Sequence, residues 1–158
     1  SMPDTRGAEM RTILLTLALA FSIAAGTASA EEFGSPEEAR AMQEAAAAAV
    51  EADEAAALAA FTAGEAPFKD RDLYVFCAGP DGLLSAHGAS TDLIGGDARA
   101  IVDADGKSFG AEMFEVAVAG EFNTVDYVWP RPGEDEPVPK SSYVTMAGDQ
   151  MCAVGYYR

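Results

Sequence analysis

Positive charge is scarce in this chain. Ten lysines and arginines stand against 26 aspartates and glutamates, a formal net charge of −16. A surface of that sign offers nothing to a phosphate backbone and repels anionic membranes, so nucleic acid is not an expected partner. Histidine is scarcer still. His87 is the single one, and no serine or cysteine stands near it in an elbow or protease signature, so the pairing of base and nucleophile that hydrolases need has no candidate, and no enzyme is expected. Two cysteines, Cys77 and Cys152, are too few for a cysteine-rich zinc site. In an oxidising compartment they can pair, and as buried thiols they can equally stay apart, because sequence does not give the distance between them. Asp103-Ala104-Asp105-Gly106 has the look of a calcium loop, but its glycine comes fourth rather than sixth, so it reads as a turn. Gly95-Gly96 lacks the Lys-Ser/Thr pair of a phosphate loop. No metal and no cofactor are expected.

What is present begins with export. Arg6 and Arg11 precede an apolar run over residues 13–25, and Thr27-Ala28-Ser29-Ala30 supplies small residues for cleavage, the organisation of a secretory signal. That run is shorter than the ~20 apolar residues of a membrane-spanning helix. The expectation is a signal peptide over 1–30, with Ser1 foreign to the native start and Met2 or Met10 as initiator, cut after Ala30. A periplasmic or secreted protein of residues 31–158 would remain, long enough for one domain with its own core.

Along 31–158 the pattern changes once. Ser35-Pro36-Glu37-Glu38 is a capping box with proline at the first helical position, and alanine-rich sequence without glycine or proline follows to Phe61. This predicts one long helix in 31–66, stopped by Gly64. From 67 to 158 the chain is β-rich. Residues 73–78 and 83–87 read as a hairpin about Gly79-Pro80-Asp81-Gly82, 108–119 as a short helix, and 122–129, 141–146 and 150–157 as strands. Asp97 to Val102 suits a short helical turn. The stretch 130–139 carries four prolines and is expected to stay out of the sheet. Tight turns join antiparallel neighbours, so the fold class is α+β, a long helix packed on a five-stranded antiparallel sheet, with room for a cavity on the other face.

Alternation places Tyr127 and Trp129 on one face of their strand. If the next strand returns antiparallel, Lys140 arrives near Trp129 and Tyr143 near Tyr127. Aromatic walls around one ammonium and two hydroxyls suit a small carboxylate, since a partly desolvated lysine needs an anion. Ordinary core aromatics and a solvated lysine explain the same residues more simply.

These segments carry a resemblance. Asp72 to Phe76, Pro80-Asp81-Gly82 with Leu84 and Ala86-His87, Asp103 to Phe109, Tyr127-Val128-Trp129-Pro130, Pro139-Lys140-Ser141-Ser142-Tyr143-Val144 and Val154-Gly155-Tyr156-Tyr157 look like the single Cache domain of type 2. The resemblance covers nearly all of 31–158. It implies a PAS-like Cache fold, a sensory, chemotaxis-related role outside the cytoplasm, and binding of a small organic anion such as acetate, propionate, lactate or pyruvate. Pocket roles fall on Tyr127, Trp129, Lys140 and Tyr143, with His87 as a further wall. Two departures stand out: His87-Gly88 where the family has His-Pro, and Gly96 where it has a basic residue. Most such domains sit between membrane helices, and no second span follows here, so a monomer or dimer working with a membrane sensor or transporter partner is the expectation. The competing reading is a structural or protein-interaction module acting through its long helix.

Overall fold

The computed structural model describes residues 31–158, and the signal segment expected over 1–30 lies outside the described residues. Helix α1 (Pro36–Ala52) starts at the expected box. The Ser35 side chain accepts from the Glu38 N–H at 3.1 Å, while Glu38 accepts from the Ser35 N–H at 2.8 Å. The rod is not continuous. Asp53 takes an extended conformation, ends α1, and its side chain caps α2 (Glu54–Ala63) by accepting from the Ala56 N–H. A short acidic side chain that can bond its own downstream N–H groups competes with the helix from within, which is why the alanine-rich run divides there. Gly64 closes α2 in the left-handed conformation.

Six strands follow: β1 (Lys69–Asp70), β2 (Leu73–Ala78), β3 (Leu84–His87), β4 (Asn123–Pro130), β5 (Pro137–Ala147) and β6 (Gln150–Tyr157), with α3 (Phe109–Val116) between β3 and β4. These strands pair antiparallel with one another, in the order β1-β2-β6-β5-β4, and β3 also pairs with β2. Five of these strands are the expected ones, and the two-residue β1 is an addition. The proline-rich stretch does enter the sheet, contrary to expectation. Pro130 pairs with Pro137 and Val128 with Pro139, so the connection shrinks to residues 131–136. Proline is tolerated at 139 because its backbone polar atoms point away from β4: the Pro139 carbonyl accepts from the Arg158 N–H on the other side, so the missing N–H takes no bond from the β4 ladder.

The sheet separates two apolar layers. β2 is buried on both faces, with Leu73, Val75 and Cys77 against the helices and Tyr74, Phe76 and Ala78 on the opposite side. Under the helices Ala39, Met42, Ala46, Val50, Ala57 and Phe61 complete the first layer. Gln43 is wholly buried among them and donates to the Cys152 carbonyl at 2.7 Å. Cys77 and Cys152, directly opposed in register on β2 and β6, form a disulfide with Cα atoms 4.1 Å apart. On the far face, α3 and the 3₁₀ turn Ala98–Ala100 roof a second layer holding Phe109, Met113, Tyr127, Val144 and Met151.

Candidate functional site

The far face of the sheet holds a buried cation. Lys140 leaves β5 with 1 % of its surface exposed, and Tyr127 on β4 is its direct cross-strand partner. Its Nζ donates to the Tyr74 hydroxyl at 2.9 Å and lies 4.3 Å from the Tyr74 ring centroid, 4.8 Å from Tyr157 and 5.8 Å from Tyr127. Among the described residues no carboxylate lies within ion-pair distance of it. Burial opposes its charge, but the oxygens of Tyr127, Tyr74 and Tyr157 and the Tyr74 hydrogen bond outweigh that, and the ammonium titrates above the ordinary lysine value. Gly155 on β6 makes room for its stem: a Cβ there would overlap Lys140 Cε and Ser142 Oγ.

Two neutral donors stand in front of this charge. The Tyr74 oxygen accepts from Lys140, so its own proton is turned to a different acceptor. His87 Nδ1 accepts from the N–H groups of Ala89, at 3.2 Å, and Ser90, at 2.9 Å, which leaves the imidazole proton on Nε2. Burial, with Lys140 and Lys69 adding repulsion, pushes the His87 pKa down to about 4, so the ring is neutral at pH 7. The two rings are 5.1 Å apart.

Tyr74, His87, Leu93 and Trp129 form a partition with space on either side. Inward lies a cavity closed by Phe76, Phe109, Met113 and Tyr127, with about 20 Å³ free, room for roughly one water. Outward lies an open cleft of about 450 Å³ between Ala89-Ser90 and the turn Arg131-Pro132-Gly133. Phe109 stacks on Tyr127 with centroids 4.1 Å apart and meets Trp129 edge-on at 5.4 Å.

Of the residues singled out in the sequence, Tyr127, Trp129, Lys140 and His87 share this face of the sheet. Lys140 pairs with Tyr127 rather than arriving opposite Trp129, whose partner is Val138. Tyr143 does not join them. It lies three residues from Lys140, an odd step that turns it to the helix side, beside Tyr156 at 5.7 Å and the Arg40 guanidinium at 5.8 Å. Ser142, two residues on, holds the expected place instead, 2.8 Å from the Tyr127 hydroxyl. Tyr74 and Tyr157 were not anticipated. Strict alternation with Phe76 was the signal available for Tyr74.

A family model, Single Cache domain 2, matches residues 38–153. The chain belongs to this family. As a Cache domain it is an extracytoplasmic sensor domain, and no described helix is long and apolar enough to cross a membrane. Over 77 residues, 49 % of this chain, it is 35 % identical to the methyl-accepting chemotaxis protein McpP of Pseudomonas putida, and the match spans 14 % of that receptor. Among solved structures, a methyl-accepting chemotaxis protein from Vibrio parahaemolyticus shares the fold with a TM-score of 0.64 at 18 % identity, covering 77 % of this chain and 86 % of that one. A periplasmic sensor domain of a chemotaxis protein gives 0.58 at 28 %, covering 77 % and 88 %. A Cache chemosensory domain whose structure was described for carboxylic acid recognition gives 0.53 at 25 %, covering 77 % and 84 %.

Proposed function

We propose that this Cache domain senses a short organic carboxylate, held without covalent change at the partition between cavity and cleft. The observation that carries the reading is the buried Lys140 ammonium, without a carboxylate partner among the described residues, donating to a tyrosine hydroxyl that lines both cavity and cleft. An anion placed against Tyr74 Oη and His87 Nε2 receives two hydrogen bonds from neutral donors and the field of the cation behind them. Hydrogen bonds in such a chain polarise one another, so Lys140 makes Tyr74 a stronger donor. Trp129 and Leu93 supply apolar contact for the rest of the ligand, and the scarcity of other polar groups facing the cavity favours two- and three-carbon acids. The relative described for carboxylic acid recognition supports the same class. The domain works with a membrane sensor or transporter partner that reads its bound state.

Thermal denaturation of the protein with acetate, propionate, lactate and pyruvate tests this. Binding to the native state alone adds about 2.7 kcal/mol at a hundredfold excess over Kd. A melting curve that none of the four acids moves rejects the reading and leaves the protein-interaction role of the helices as its replacement.

A further inference from the structure

The cavity behind the partition has room for about one water, so a ligand that reaches past Tyr74 and His87 into it needs the roof to move. That roof, residues 96–116, is tied down along two edges by different means. On the β3 side the ties are backbone bonds: Leu84 N–H to the Gly96 carbonyl at 2.9 Å and Ala98 N–H to the Gly82 carbonyl at 2.8 Å. On the β4 side they are side chains. β4 is the last strand of the sheet, and its outer edge exposes the Val128 N–H and the Asp126 carbonyl. Asp103 Oδ2 accepts from the Val128 N–H at 3.1 Å, and Lys107 Nζ donates to the Asp126 carbonyl at 2.5 Å. The other Asp103 oxygen accepts from the N–H groups of Asp105 at 3.0 Å and Lys107 at 2.8 Å, folding the turn that presents both ties. Lys107 also pairs with Glu112 on α3 at 2.8 Å.

Val128 lies between Tyr127 and Trp129, the two rings that Phe109 of the roof covers. The Asp103 carboxylate therefore ties the roof to the ligand-facing strand beside these rings, with Lys107 on Asp126 and Asn123 on the Val116 carbonyl as further side-chain ties to β4. We propose that Asp103 is a positioning residue for ligand uptake: it bolts the roof to the edge of β4, and a ligand enters the cavity when that bolt releases. The inference rests on the carboxylate reading for the identity of the ligand, but not for the bolt itself.

Asp103→Asn separates the two halves of its role. An amide oxygen still accepts from the turn, while the amide nitrogen faces the Val128 N–H donor to donor. Hydrogen exchange on the full chain is expected to speed up roughly tenfold at Val128, the loss of one hydrogen bond to a charged group, with Val75 in the sheet centre unchanged. Acetate association and dissociation, followed through the single tryptophan, Trp129, are expected to accelerate together by a similar factor with a smaller change in Kd. Unchanged exchange at Val128 overturns the inference, and so do unchanged acetate rates in a variant whose exchange has risen. Faster exchange in a protein that takes up no acetate, in wild type or variant, leaves the bolt standing and removes the carboxylate reading. Should Asp103→Asn fail to fold, Lys107→Met removes the tie to the Asp126 carbonyl on the same edge. Faster acetate association and dissociation with a smaller change in Kd are expected there too, and unchanged rates overturn the inference.

Discussion

Replacing Lys140 with methionine isolates its charge. Alanine would be the usual choice, but a side chain this buried leaves a void, and large-to-small changes in a core cost about 2–5 kcal/mol by themselves. Methionine keeps the length and the apolar stem, so the packing between Tyr74, Tyr157 and Tyr127 is largely retained. The expected loss follows from distance. Nζ is 2.9 Å from the Tyr74 oxygen, and a carboxylate oxygen accepting from that hydroxyl stands beyond it. Cation and anion are then about 5 Å apart, worth about 3 kcal/mol at an effective dielectric near 20, or a factor of about 150 in Kd. Calorimetric titration with acetate reads this directly, alongside thermal unfolding without ligand, where the midpoint is expected to stay within a few degrees of wild type. A Lys140→Met protein that folds normally and binds acetate within threefold of wild type would refute the reasoning, since the cation would then have no part in recognition.

The remaining expectations concern the two groups that set up the site. His87 is neutral in the fold with a pKa near 4 and titrates near 6.5 when unfolded, so the unfolded chain binds the extra proton between those values; stability is complete above about pH 6.5 and falls by about 3 kcal/mol as pH drops to 4. Urea denaturation at pH 7.5, 5.5 and 4.5 checks this, and His87→Gln is expected to remove that part of the slope; an identical slope in the variant assigns it to other groups. Gly155→Ala places a methyl group against Lys140 Cε, so acetate affinity is expected to drop tenfold or more with about 1–3 kcal/mol of stability lost to overpacking. Titration and denaturation of that variant separate the two effects, and unchanged affinity shows that the ammonium has another route to its place.

What the residues alone made legible followed their periodicity. The Ser35 to Glu38 box gave the helix start because every group in it is local. Short β-rich apolar runs bounded by turn residues, 73–78 and 150–157, gave strands whose ends match. The break at Asp53 was harder to see, because an aspartate within an alanine run is costly only when its own bonds to the backbone outcompete the helix. Tyr143 stands three residues from Lys140, and a spacing of three along a strand always changes face, which puts it on the helix side. Tyr74 and Tyr157 depend on β2, β6 and β5 lying side by side, a pairing between residues some eighty positions apart that no window of sequence contains. Proline at 137 and 139 argued for a loop, and only the pairing shows why it does no harm there: the Pro139 carbonyl, and with it the missing N–H, faces away from β4.

The interruption at Asp53 gives the helical layer two arms instead of a single rod. α1 rests mainly on β5 and β6, the strands of Lys140 and Tyr157, and reaches β2, whereas α2 rests on β2 and β3, the strands of Tyr74 and His87. The strand of the cation is thus backed by one arm and the strand of His87 by the other, with β2 beneath both, so the joint at Asp53 lies between the supports of the two sides of the site.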